Sequence, residues 1–168
     1  MQKVSYSREL EVRGSYDVVV AGSGPAGICA AVAAAREGAK VALVERYGVV
    51  GGNLTAGYVG PILGMVGKGT MRDELVELLG VPENDMIGET GRAHDFERAK
   101  MTLAQFVNHP NIDVYLQTTV TDVVKEGDTL KGLVVTAGEG QFVLCGKVTV
   151  DATGDGLVSY LAGAPTEK

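Results

Sequence analysis

Apolar positions fall into two kinds of run along this chain. The uninterrupted stretches at residues 16–21 and 40–45, YDVVVA and KVALVE, have the form of parallel strands buried on both faces. Between them, residues 25–37 are dominated by small side chains, among them Ala26, Ala30, Ala31, Ala33 and Ala34. With Pro25 suited to a first helical position and Gly38 as a stop, this predicts a helix able to lie close on the sheet. The crossover joining two such parallel strands is then right-handed. Residues 71–79 set Met71, Leu75, Leu78 and Leu79 against Arg72, Asp73, Glu74 and Glu77, the spacing of a short amphipathic helix ended by Gly80 and Pro82. Residues 95–107 repeat that spacing, with Phe96, Ala99, Leu103, Phe106 and Val107 apolar and Asp95 as the cap. Residues 46–57 and 83–92 lack either period and predict loops.

The last third changes character. Residues 111–117 read as another core strand through Ile112, Val114 and Leu116. Residues 119–124, 130–137 and 141–145 are β-rich runs separated by short glycine-containing turns, which predicts an antiparallel meander. Residues 147–152, KVTVDA, then return as a buried strand that runs into Thr153-Gly154-Asp155-Gly156. The fold class is therefore α/β and Rossmann-like, a central parallel sheet with an antiparallel β-meander crossover. One domain is expected over residues 1–168, with 58–92 as a reduced excursion and 118–146 as the meander.

Composition narrows the function classes. With 45% hydrophobic and 21% charged residues, the 168-residue chain has the profile of a globular domain. Its net charge of −6 and isoelectric point near 4.9 disfavour nucleic acid, whose binding relies on phosphate neutralisation by Lys and Arg. Cys29 and Cys145 stand far apart with no CxxC, so neither a zinc site nor a disulfide scaffold is expected. Apolar runs are too short to span a bilayer and the first residues have no signal-peptide core, so the expected location is cytoplasmic and away from membranes.

The chemistry lies in the turns. After the first strand comes Gly22-Ser23-Gly24-Pro25-Ala26-Gly27, a GxGxxG pattern: Gly22 permits the tight turn, Gly24 lets the backbone approach a pyrophosphate, and Gly27 lets helix and strand pack. A diphosphate over the helix start would meet unpaired N–H groups and the positive end of the helix dipole. Glu45 follows at about the 20-residue interval expected of the acid that takes adenosine ribose hydroxyls, and it would repel a 2′-phosphate, which argues against NADP. Because the chain has 24 glycines, the pattern gains its weight from the strand, helix and acid around it. Glycine-dense residues 48–57 and the turn at 153–156 are two further places where bare backbone can meet a ligand.

Taken in order, GSGPAG, VALVER, the GGNLTAG loop, the strand NIDVYLQTTVTDVV, a hairpin and KVTVDATGDG closely resemble the amino-terminal half of an FAD-dependent oxidoreductase family related to the fumarate reductase and glutathione reductase flavoproteins. The resemblance covers residues 16–165 and implies FAD as cofactor. It implies that Gly22, Ser23, Gly24, Pro25, Ala26 and Gly27 hold the pyrophosphate, Glu45 the adenosine ribose, and that Arg46 lies along the adenine or its ribose. It also implies that Gly51, Gly52 and Asn53 pass the pyrophosphate and ribityl chain, with Thr55 and Ala56 nearer the flavin. Val120 would offer backbone groups to the adenine edge, and Gly154 and Asp155 would close over the phosphates. At this length the chain reads as a fragment or shortened member, lacking the family's substrate region and carboxyl-terminal FAD motif. No catalytic base is named: His94 reads as flanking a helix start, His109 as a loop residue, and Arg92 as a loop arginine that could meet an anionic substrate. An NAD-dependent dehydrogenase domain and a non-catalytic nucleotide-binding module are the alternatives. The substrate, taken as a small molecule, stays unidentified, and homo-oligomer formation is open.

Overall fold

The computed structural model describes residues 4–60, 62, 69–80 and 94–165. Its elements are β1 (Val12–Ala21), α1 (Pro25–Arg36), β2 (Val41–Val44), a 3-10 turn (Gly52–Leu54), α2 (Met71–Leu79), α3 (Phe96–Phe106), β3 (Ile112–Tyr115), β4 (Thr119–Glu126), β5 (Thr129–Ala137), β6 (Gly140–Asp151) and α4 (Leu157–Leu161). The six strands form one sheet in the order β3-β2-β1-β6-β5-β4. The β3, β2, β1 and β6 strands run parallel, in registers such as Val18 with Val41 and Val148, and Val41 with Ile112. The β4, β5 and β6 strands pair antiparallel. Among the described residues, no helix is long and apolar enough to cross a membrane.

Alternation along β1 divides the core between the two faces. Val20 points into the cluster under α1, α2 and α3, with Ile28, Val32, Leu43, Leu75 and Leu103, while Val19 and Ala21 join Val135, Phe142, Leu144 and Val158 in the other. All four residues of β2 are buried, as expected of a parallel strand covered on both faces. The helix ends follow their local signals. Asp95 Oδ1 accepts from the N–H groups of Glu97 and Arg98 at 2.9 and 3.0 Å, and Thr70 with Asp73 forms a capping box on α2.

Three expectations are corrected. Residues 141–145 and 147–152 are one strand, β6, whose first half pairs with both β5 and β1 and whose second half continues along β1. The sequence looks broken there because Gly146 and Lys147 interrupt the apolar run. A Cβ on Gly146 would lie 2.7 Å from Val19 Cγ2, so close strand packing is what demands the glycine. That second half is also not fully buried, since Val148 is 55% exposed. Finally, β3 is an edge strand rather than a core one, with Val114 and Leu116 on the exposed side. The expected loop at 83–92 lies outside the described residues.

Candidate cofactor site

The carboxyl ends of β1, β2 and β6 meet at one rim of the sheet, where open α/β sheets bind ligands. Gly22 N–H donates to Val44 O at 2.8 Å and Ala152 N–H donates to Ala21 O at 2.8 Å, so the turns after β1 and β6 are pinned side by side. Gly22 has φ +94°, and a Cβ on it would strike Ala152 O at 2.4 Å. A Cβ on Gly27 would lie 1.9 Å from Gly22 O. Both glycines are thus required by the chain's own packing. Gly24 differs: its φ of −64° suits any residue, and a Cβ there would meet nothing within 4 Å.

That vacant position opens on a cleft of about 460 Å³ lined by all three turn regions, within the roughly 300–1,000 Å³ of small-molecule sites. Of the residues singled out from the sequence, Gly22, Gly24, Pro25, Ala26, Glu45, Arg46, Gly52, Asn53, Ala56, Val120, Gly154 and Asp155 line it. The loops nearly touch where a Cβ on Gly52 would come within 2.9 Å of Gly24 Cα.

Four of the sequence-derived residues are not on the wall, and their packing says why. Gly27 is buried beneath the turn, and Gly51, in the left-handed region at φ +108°, is packed against Thr55 and Leu103. Thr55 is fully buried and donates through Oγ1 to Val50 O at 2.7 Å, so it braces the loop internally. Ser23 is fully buried as well, its N–H and Oγ–H donating to Glu45 Oε2 at 2.9 and 2.6 Å. The Ser23 side chain therefore serves the carboxylate and does not reach the cleft.

Glu45 is 4% exposed, and its other oxygen accepts from Tyr47 N–H at 2.8 Å. Its backbone is locked too, by Tyr115 O and Thr118 N–H at 2.8 and 2.9 Å. Three donors on one carboxylate leave one acceptor position free, because an ionised carboxylate has about four. The side chain consequently ties two loops together while still bordering the cleft. Arg46 beside it is exposed, its guanidinium 4.9 Å from the Tyr47 ring centre.

The turn after β6 is built on Asp151, which sequence reasoning passed over. One carboxylate oxygen accepts from Thr153 N–H and Oγ–H at 3.2 and 2.7 Å, the other from Ser159 N–H and Oγ–H at 2.8 and 2.9 Å. Burial pushes the Asp151 carboxyl up, but these four hydrogen bonds outweigh it and hold it below the ordinary carboxylate range. Thr153 Oγ1 in turn accepts from Leu157 N–H at 2.9 Å, capping α4. Tyr47, Thr118, Thr119 and Thr153 also line the cleft and were not foreseen. They follow strands that the sequence did reveal, and the carboxyl end of each strand was the available signal. Arg92 lies outside the described residues.

A second, shallower cleft of about 430 Å³ sits at the opposite end of the strands, among Ser15, Asp17, Lys40, Lys131, Cys145 and Lys147. Lys147 Nζ pairs with Asp17 at 2.6 Å. Burial first, then hydrogen bonds to Tyr115 and Asp113, push the Tyr16 phenol at its floor well above its ordinary value. Among the described residues no glycine turn or helix start lines this cleft, which favours the carboxyl rim as the place for a nucleotide. Among the described residues there is no cluster of His, Cys, Asp and Glu suited to a metal ion.

Comparison with known proteins fits this geometry. A soluble pyridine nucleotide transhydrogenase of Chromohalobacter salexigens is 36% identical over 99 residues, 55% of this chain and 20% of that protein. One from Ectopseudomonas mendocina is 39% identical over 82 residues, 49% of this chain and 16% of that protein. The matched stretch spans a fifth or less of these curated relatives. Among solved structures, Thermovibrio ammonificans THI4 superposes with a TM-score of 0.62 at 25% identity, over 88% of this chain and 61% of that one. The flavin-dependent brominase Bmp2 shares the fold, with a TM-score of 0.61 at 21% identity over 88% of this chain and 40% of that one. The sequence profile of the FAD dependent oxidoreductase family matches residues 17–168, nearly the whole chain, and this protein belongs to that family, whose cofactor is FAD.

Proposed function

We propose that the chain is the FAD-binding portion of an oxidoreductase and that the rim cleft takes the adenosine diphosphate half of the cofactor. The observation that carries this reading is Gly24. Nothing in the chain's own packing or dihedrals demands glycine there, yet the residue faces the cleft at the start of α1, where a side chain would occupy the space of a bound diphosphate. The residues fit the group. Ala26, on the cleft wall, stands in the first helical turn, whose N–H groups have no intrahelical partner, and so can meet a phosphate oxygen. Glu45 offers its one remaining acceptor position to a ribose hydroxyl, Arg46 and the Val120 backbone border the adenine, and Gly154 and Asp155 close the far side.

Bound FAD supplies hydride or electron transfer; the protein supplies position and electrostatics. Glu45 fixes the cofactor's register, since its carboxylate is tied to both Ser23 and Tyr47 and cannot drift from the turn. Gly52, Asn53, Ala56 and Gly57 supply one wall of the cleft. The substrate is a small molecule of unassigned identity, and the oxidoreductase activity belongs to the protein of which these residues form the cofactor-binding part. A cytoplasmic location accompanies this reading, with Cys29 and Cys145 both free as a reducing compartment keeps them.

The test is a fluorescence titration of the folded chain with FAD. Saturable uptake is expected, with about tenfold weaker binding by Glu45→Gln, the equivalent of one charge-assisted hydrogen bond. A folded chain that takes up no flavin at tens of micromolar FAD would contradict the reading.

A further inference from the structure

Strands β3 and β4 lie at opposite edges of the six-stranded sheet, yet only residues 116–118 join them. The sheet therefore folds back over its own face, which is why Ala42 and Val44 of β2 share a buried cluster with Val120 of β4, Val135 of β5 and Phe142 of β6. The chain turns this corner at Gln117, whose φ is +49°. Among the described residues only Tyr58 joins it as a non-glycine residue at positive φ. That left-handed region costs a residue with a Cβ more than it costs glycine. Strain of this kind persists where the surrounding structure over-determines it, and such residues gather at ligand sites.

The surroundings of Gln117 meet that condition. Beyond the last β2–β3 pair, Val44 with Tyr115, three backbone bonds continue between the ends of the two strands. Glu45 N–H donates to Tyr115 O at 2.8 Å, Thr118 N–H to Glu45 O at 2.9 Å and Gln117 N–H to Tyr47 O at 3.0 Å. The Gln117 side chain lies over Gly48, where a Cβ would be 3.9 Å from its Cγ and Nε2. Thr118 Oγ1 donates to Leu116 O at 2.8 Å, closing the corner on itself. The cleft residues on both sides of the corner, Glu45, Arg46 and Tyr47 and then Thr118, Thr119 and Val120, take their relative positions from these bonds.

We propose that Gln117 is a positioning residue: its left-handed backbone, kept to one shape by the presence of a side chain, sets the spacing between the 45–47 and 118–120 walls and so the fit of the cofactor's adenosine end. What Gln117 positions rests on the FAD reading. Glycine would take the same φ without strain, but it would take many other values as well. The empty corner would then spread over several shapes, and binding would have to select one of them, which lowers affinity. The chain carries a local strain and in return presents a preformed wall. Fold stability and cofactor fit therefore pull in opposite directions at this position, a signature that a residue serving only the fold does not have.

FAD titration of the full chain, read beside thermal melts, tests this with two variants. Gln117→Gly is expected to melt at or above the wild-type temperature while binding FAD about threefold more weakly, the equilibrium equivalent of glycine's extra backbone freedom. Gln117→Asn keeps a side chain and tolerates the left-handed region, so it is expected to match wild type in affinity. Wild-type affinity in Gln117→Gly, or equal weakening by Gln117→Gly and Gln117→Asn, would overturn the proposal and leave the FAD reading standing. A Gln117→Gly melting temperature that falls along with its affinity would overturn it too, since the residue would then serve the fold alone. A folded wild-type chain that takes up no FAD would overturn the FAD reading and the proposal together.

Discussion

The two glycine turns at the rim look alike in sequence, each a strand running into small residues, yet they are held in different ways. The first, at residues 22–27, is fixed by distant parts of the chain. Glu45 arrives from the next strand to bind Ser23, and Ala152 crowds Gly22 from the strand on the other side. The second, at residues 151–156, is fixed from its own root, with Asp151 gathering Thr153 and Ser159 within eight residues. Each turn hangs on a carboxylate that accepts several hydrogen bonds. The Asp151 oxygens are taken up by their four bonds, whereas Glu45 keeps acceptor capacity toward the cleft. A carboxylate beside a glycine turn is therefore not a ligand by position alone; what matters is the lone pairs left over once the turn is built.

Substitutions can break or sharpen that contrast. The largest effect is expected from Gly27→Ala, since its new Cβ would stand 1.9 Å from a backbone oxygen that cannot swing away. A loss of about 3 kcal/mol or more is expected in urea unfolding, the upper end for overpacking in a fixed core. A stability change under about 0.5 kcal/mol would mean the first turn is not held by packing. Next comes Asp151→Asn, expected to cost about 2 kcal/mol through donors left poorly matched at the second turn.

Asp151→Asn also carries a pH signature. The folded-state pKa of Asp151 is depressed, so its contribution to stability is present above the unfolded value of about 3.9 and is lost as pH falls through the folded one. Wild type should therefore lose more stability than Asp151→Asn when acidified through that window, as followed by circular dichroism melts. The smallest effect is assigned to Ser23→Ala, about 1 kcal/mol of stability, because the backbone N–H still reaches Glu45 when the hydroxyl is gone. An equal loss from Ser23→Ala and Asp151→Asn would erase the distinction between a shared and a self-contained turn.

Much of the fold was legible because its signals are local. The small-residue helix after GSGPAG, the amphipathic stretch at 71–79, the Asp95 cap and the meander turns each announce themselves within a few residues, and the structure reproduces them. The joining of 141–145 to 147–152 was not legible, since Gly146 reads as a break unless its contact with Val19 is known. The edge position of β3 is likewise invisible, because Ile112, Val114 and Leu116 look the same whether or not a further strand covers them. At the rim, the sequence located the glycines and Glu45 by spacing, but which of them face the cleft depends on long-range packing. Ser23 and Thr55 turn inward for that reason, and Asp151 escaped notice because its partners are backbone groups and hydroxyls, which leave no pattern along the chain.

The account's central claim is that Gly24 is bare for the sake of a ligand and not for the sake of the fold. Flavin titration of Gly24→Ala, alongside its urea unfolding, tests this most directly. Stability within about 0.5 kcal/mol of wild type together with FAD binding weakened by about tenfold or more is the predicted result. Unchanged FAD affinity in a normally folded Gly24→Ala protein would contradict it.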